Sequence, residues 1–516
     1  MHRTPRLLSL PLISLGLGVW ATASAHPPPA VPTGPSVAVA APRHVADYSL
    51  DALQVAVGAA RLDGWLLCDR KGQDPRAAAI VRPQGTVLQR WCYLVPPSGE
   101  PQLMVSQGDV AAFEQVPGSR LVYRNWRQRD AHLKALVRGR KRVAIDLGRI
   151  DGATIDQLRT GGVTLVASDD LVTEVLGRWT AEQRQSHARA LARLVAVKDE
   201  AFRLITERVT GGDRVNEYEV QQLIMRTLPL YELETERPVV VAAGANSADP
   251  QYVPSGRRSS AIRPGDLVRL EVAARERETP SAVYAELVWT GVVGDAAPAR
   301  AQAAFAAVQA ARERAIALLQ ERRQKKQPIA GWEIDAAVHA ALEKAGFADQ
   351  GVIASGRSLG RTPEGEGPQL DDTETHDERQ ILARTAYSLA PGVFIEGQFG
   401  VRSGVNVFVG DESVEVLPEA PQVAIEPLLA KPATAPAASS IKPRVPEGYE
   451  APPAAAPEPA LTAPAASSTS AASQPAASAT SPESSASPHP AAKPKPATSH
   501  RTRPARPSHS TPLPGS

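Results

Sequence analysis

The sequence predicts an α/β domain followed by an α+β domain, with a segment at each end that does not fold. Three observations carry this. Between about Tyr48 and Leu176, short strand-like apolar runs alternate with helical patterns, the arrangement that builds an α/β layer structure. From about Ala181 to Leu417, a long helical stretch is followed by strands, then two helices, then more strands. Prolines number 47 in 516 residues and crowd into the two ends, where little apolar surface is left to bury. The chain divides accordingly into residues 1–25, 26–45, 46–180, 181–418 and 419–516.

Residues 1–25 read as an export signal peptide. His2, Arg3 and Arg6 form a basic start, Leu7 to Trp20 a short apolar run, and Ala23-Ser24-Ala25 a small-residue cleavage site. The apolar run is shorter than the roughly 20 residues that span a bilayer. The mature protein is therefore expected outside the cytoplasm of a bacterium, in the periplasm or beyond. Residues 26–45 are a Pro- and Ala-rich linker. In the first domain, strands are expected over Gly64–Cys68, Cys92–Val95, Gln102–Val105, Arg120–Tyr123, Arg142–Ile145 and Val163–Ala167, with a helix over Asp130–Val137. The chain's two cysteines, Cys68 and Cys92, fall in two of these strands. An oxidising compartment permits a disulfide between them, and neither has a Cys or His neighbour at metal-ligand spacing.

In the second domain, Leu191, Leu194, Val195, Val197, Phe202 and Ile205 keep helical spacing over Ala181–Thr210, and Gly211-Gly212 stops the helix. A further helix is expected over Val215–Leu228. Strands are expected over Pro238–Ala243, Asp266–Ala273 and Tyr284–Val293, helices over Ala299–Arg323 and Trp332–Ala345, and strands again up to Leu417. Residues 419–516 collapse to Pro, Ala, Ser and Thr, a composition expected to stay disordered. Beyond Glu483 the charges of this tail are basic (Lys493, Lys495, Arg501, Arg503, Arg506), which would let it contact an anionic envelope surface. The whole chain carries a net charge of +2, too balanced to indicate a nucleic-acid partner.

Several local motifs stand in a telling order: Gly265-Asp266-Leu267-Val268, the run from Pro280 to Gly294, Gly356-Arg357-Ser358-Leu359-Gly360, Thr375-His376-Asp377-Glu378-Arg379, Ser388-Leu389-Ala390-Pro391-Gly392, and Phe399-Gly400-Val401-Arg402-Ser403-Gly404-Val405-Asn406. This set resembles the pita-bread metallopeptidases, the family of creatinase, prolidase and the Xaa-Pro aminopeptidase called aminopeptidase P. The last four resemble family segments reading Gly-His-Ser-Ile-Gly, THDER, SIEPG and FGVRSEVN. Gly64-Trp65-Leu66-Leu67 and Pro96 to Pro101 are similar to the creatinase/prolidase-type N-terminal domain. The likeness covers about residues 48–417 and implies that N-domain over 46–180 and a pita-bread domain over 181–418.

The resemblance also implies a site that this chain has lost. In active relatives two divalent metals are held by two Asp, one His and two Glu. At the matching positions stand Glu271, Glu286, Arg357, Ala390 and Gly404, and the accessory histidines become Gln251, Ile353 and Glu364. An open catalytic metal site needs about three good donors. Arg stays protonated with no acceptor, and Ala and Gly offer no side-chain donor. Two buried carboxylates without metal would repel each other. Arg357, together with Arg269 two residues before Glu271 on one strand face, is expected to pair with Glu271 and Glu286 and fill the metal volume. Tyr284 is expected to line the same cavity, and Arg402 either to be an ion-pair partner in the core or to line a residual peptide pocket there.

Other readings of these residues are weaker. Gly356 to Gly360 also fits G-x-S-x-G, but Arg361-Thr362-Pro363 cannot begin the helix that a Ser358 nucleophile requires. The acidic run from Glu364 to Glu378 lacks the spacing of an EF-hand calcium loop and reads as a solvated or dimer-contact loop. The expected function is an exported, metal-free pseudoenzyme with no catalytic residue and no cofactor, a binding or scaffold protein of the cell envelope. Its expected partners are proline-containing peptides or envelope proteins, and the family implies a homodimer. The alternative is a working Xaa-Pro-type metalloaminopeptidase with an atypical Mn, Co or Zn site.

Overall fold

The computed structural model describes residues 49–279, 281–350 and 353–430. The expected export signal, the linker and residues 431–516 of the expected tail lie outside the described residues, as do Pro280 and Gly351 of the family-like segments.

The first domain is one six-stranded sheet with helices on both faces. Its strands are β1 (Gly64–Asp69), β2 (Trp91–Val95), β3 (Gln102–Ser106), β4 (Ser119–Tyr123), β5 (Arg142–Ile145) and β6 (Thr164–Ala167), in the order β4-β3-β2-β1-β5-β6. β2 runs antiparallel to both neighbours, and the other pairs are parallel. Alternation decides which helix meets which face. Trp65 and Leu67 pack with α1 (Leu50–Ala59) and α2 (Pro75–Val81). Leu66 and Leu94 pack with α3 (Trp126–Val137) and α4 (Gly152–Arg159). Because both faces are covered, the strands read as continuous apolar runs. Local capping sets the helix starts: Asp74, Asn125 and Asp151 each accept backbone N–H groups from the first turn they precede. Cys68 stands opposite Cys92 across β1 and β2, with Cα atoms 4.1 Å apart, and the two are joined by a disulfide.

A short helix, α5 (Asp169–Val172), leads to the 31-residue α6 (Ala181–Gly211). Thr180 and Gln183 form a capping box at its start, and Gly212 closes it in the left-handed region at φ 78°. α6 and α7 (Glu217–Thr227) cover a five-stranded sheet made of β7 (Leu233–Glu234), β8 (Val240–Ala243), β9 (Leu267–Glu276), β10 (Ala285–Val292) and, after all the others, β17 (Glu426–Pro427). α8 (Ala299–Gln324) and α9 (Gly331–Lys344) cover a four-stranded sheet. Its strands are β11 (Gly356–Leu359), β12 (Thr385–Leu389), β15 (Val405–Val409) and β16 (Val414–Leu417). β13 (Gly392–Ile395) and β14 (Phe399–Arg402) pair separately. No helix among the described residues is long and apolar enough to cross a membrane.

One boundary needs correction. The second domain does not end at 418. Gln422 is buried, its amide nitrogen donating to Thr290 O at 2.6 Å and its oxygen accepting from Thr290 N at 3.1 Å. β17 then pairs in parallel with β10, and Leu428 joins the core under α6. Without this segment the outer edge of β10 would keep buried, unpaired backbone groups.

Candidate functional site

The floor of the site is the hairpin-like pair β9 and β10. In the run LVRLEVAARE, Leu270, Val272 and Ala274 face the α6 core, which turns Arg269 and Glu271 to the opposite face. Glu271 stands opposite Val288, and Glu286 opposite Ala273, so both carboxylates share that face on a diagonal. Glu286 is buried, and the side chain of Glu271 is 11% exposed.

Three guanidiniums reach these two carboxylates. Arg269, fully buried, pairs with Glu271 Oε1 and donates from Nη2 to Asp249 O at 2.7 Å. Arg402, at the end of β14, donates from Nη1 to Glu271 Oε2 at 2.6 Å and from Nε to Ala390 O at 2.7 Å. Arg357, on β11, forms an ion pair with Glu286 Oε1. Burial alone would raise the Glu271 carboxyl, but Arg402 and Arg269 outweigh it and hold the group down at about 2. Glu271 is therefore ionised and bound at both oxygens.

The Glu286 side is organised through its main chain. Asn406, on β15, accepts from Glu286 N at 3.0 Å and donates to Glu286 O at 2.6 Å. His187 of α6 contacts the same Asn406 oxygen at 2.9 Å, and burial pushes this imidazole down to about 4. His187 is thus a neutral structural strut. Its role could not be read from its place in a helical pattern.

A dinuclear metal centre does not fit these residues. Both oxygens of Glu271 and one of Glu286 are taken by guanidiniums, which cannot ligate. Ala390 is buried, its N–H donating to Ser355 O and its carbonyl accepting from Arg402. At Gly404 even a Cβ would lie 2.9 Å from Val288 Cβ and 3.0 Å from Ala390 Cβ, so no acidic side chain fits without rearrangement. Gln251 lies in the loop after Asp249, Ile353 offers its carbonyl to His339 at 3.2 Å, and Glu364 pairs with Arg237 at 3.1 Å. Among the described residues, no group of three or more His, Cys, Asp and Glu could hold a metal ion.

Above the floor opens a cleft of about 560 Å³, bordered by Arg237, Gln251, Glu271, Arg357, Thr373 and Arg402. Arg237 carried no motif and was missed from sequence. Tyr284, expected on this cavity, is elsewhere. It precedes β10, is fully buried, lies under Arg275, and its hydroxyl accepts from Glu236 N at 3.1 Å. It keeps the face of Glu271, since it clusters with Ala273 and lies under Arg275, but its N–H bonds Gly360 O at the far end of the strand pair, away from the cleft. Arg269 also lies below the cleft rather than on its wall. Ser358 is buried, and its hydroxyl accepts from Gly367 N at 2.9 Å, as a loop tie. In the acidic run, Asp371 folds its own loop by accepting from the backbone of Thr373, Glu374 and Thr375.

Residues 185–411 match the family model of metallopeptidase family M24. No curated protein matches the chain. Among solved structures, dipeptidase PepE from Mycobacterium ulcerans is similar at 19% identity, with a TM-score of 0.60 over 73% of this chain and 96% of that one. An Xaa-Pro dipeptidase from Bacillus anthracis follows at 18% and 0.55, over 73% and 98%. An X-Pro aminopeptidase from Thermotoga maritima gives 16% and 0.53, over 73% and 99%. The two-domain order and the likeness to these structures agree on the fold: the chain has the pita-bread architecture, and its residues 185–411 match metallopeptidase family M24.

Proposed function

We propose that the chain is an exported, metal-free pseudoenzyme of this family that acts as a binding or scaffold protein of the bacterial envelope. The observation that carries the proposal is the exchange of ligands for cations: Arg357 on Glu286, and Arg402 with Arg269 on Glu271. A buried ion-pair set satisfies the carboxylates that a metal would otherwise neutralise. The basic start, apolar run and Ala23-Ser24-Ala25 site support export. Proline-containing peptides are candidate ligands, since the similar structures include an Xaa-Pro dipeptidase and an X-Pro aminopeptidase.

Elemental analysis of the purified protein tests this, followed by an Xaa-Pro peptide assay with added manganese, cobalt or zinc. The expected result is substoichiometric metal and no turnover. Stoichiometric metal, or turnover that follows added metal, would establish the working aminopeptidase instead. Fractionation of the producing bacterium tests export, and a cytoplasmic full-length chain would refute it.

A further inference from the structure

We propose that the cleft above β9 and β10 is a receptor for a small carboxylate-bearing ligand, seated between Arg357 and Arg237. The inference rests on the metal-free reading and names the ligand class for that same cleft. Three guanidiniums (Arg269, Arg357, Arg402) meet two carboxylates on the floor, which leaves one positive charge in excess. The excess falls on the Glu271 side, and Arg357 is the cation with the fewest partners. Glu271 has two cations, whereas Arg357 has the single Glu286 ion pair and, among the described residues, no side-chain hydrogen bond.

Arg237 adds a second cation to the wall beside it. Burial and the neighbouring charge of Arg357 both press its pKa downward, so the two cations feel each other. Its ion-pair partner is Glu364, whose side chain is 66% exposed at 3.1 Å. An exposed pair of that kind is weak and yields readily to a better-placed anion. The acidic loop does not neutralise this corner. Asp371 is turned into its own backbone, and Glu374 borders the cleft beside Thr373, which directs an incoming carboxylate away from that loop. Paired guanidinium forks in a partly dry cleft suit a planar carboxylate. A volume of about 560 Å³ suits a ligand of small-molecule or short-peptide size.

The carboxylate could belong to a free peptide C-terminus or to a small dicarboxylic acid. Calorimetric titration of the full chain, after its metal content has been measured, separates these sources. The probes are acetyl-Ala-Pro, its C-terminal amide and succinate. Binding of the acid but not the amide supports the proposal with a peptide source; binding of succinate alone supports it with a non-peptide source. Arg237→Gln should weaken binding by about tenfold or more, the worth of one charged hydrogen bond. The double variant Arg357→Met/Glu286→Gln removes both partners, leaves no lone buried charge, and should abolish binding. Equal binding of acid and amide, no binding of either acid, or full affinity in Arg237→Gln would overturn the proposal. Stoichiometric metal would instead strike the metal-free reading, and the acid–amide comparison would still decide this one.

Discussion

The two halves of the floor solve one problem in different ways. Glu271 is held by two guanidiniums, one from its own strand and one from β14, and both of its oxygens are engaged. Glu286 has one guanidinium, from β11, while its backbone is clasped by Asn406 from β15. The first half is over-neutralised, and it borders the cleft through Glu271 and Arg402. The second is held by geometry more than by charge, and its single cation faces the cleft. The two carboxylates are thus neutralised unevenly: Glu271 takes two cations and borders the cleft, whereas Glu286 lies deeper with one.

The largest expected effect comes from breaking the half with one cation. Arg357→Ala leaves Glu286 buried and unpaired and should destabilise by about 3–5 kcal/mol, read as a loss in denaturant midpoint. An unchanged midpoint would mean that the pair contributes nothing. Asn406→Ala should cost about 3 kcal/mol, because it strips partners from both backbone groups of Glu286 and from His187. If it costs no more than an exposed substitution, the backbone clasp is not what holds this half.

The Glu271 half should show itself in acid. Its folded pKa lies below its unfolded value, so its stabilisation is present above about 4.5 and is lost as pH falls through about 2. That depression corresponds to about 3 kcal/mol, visible as a falling melting temperature across this window. Arg402→Ala should be the mildest change, about 2 kcal/mol at neutral pH, since Arg269 still serves Glu271. It should also move the onset of the acid loss to higher pH. Should Arg402→Ala prove as costly as Arg357→Ala, the asymmetry between the halves does not exist.

Much of this was legible from the chain alone. Strand alternation places Arg269 beside Glu271, and the motif order alone draws Arg357, Ala390 and Gly404 together as candidate site positions. The strand-like runs around Cys68 and Cys92 were equally readable, because apolar continuity and turn residues are local properties. Alternation gives the face of Tyr284 but not its place along that face, where bonds to Glu236 N and Gly360 O hold it away from the cleft. Residues 419–430 were assigned to the tail because their composition is tail-like, although Gln422 and Leu428 are drawn in by the open edge of β10.

The sequence by itself determined the two-domain order and the pair of glutamates on adjacent strands. These follow from residue identity and from periods of two and 3.6. Only the tertiary structure decided that Arg402, rather than Arg357, joins Arg269 on Glu271, that His187 and Asn406 brace Glu286, and that Arg237 stands beside Arg357 in the cleft. Those pairings link strands and helices far apart in the chain, and their distances depend on how the sheets pack, which no local pattern encodes.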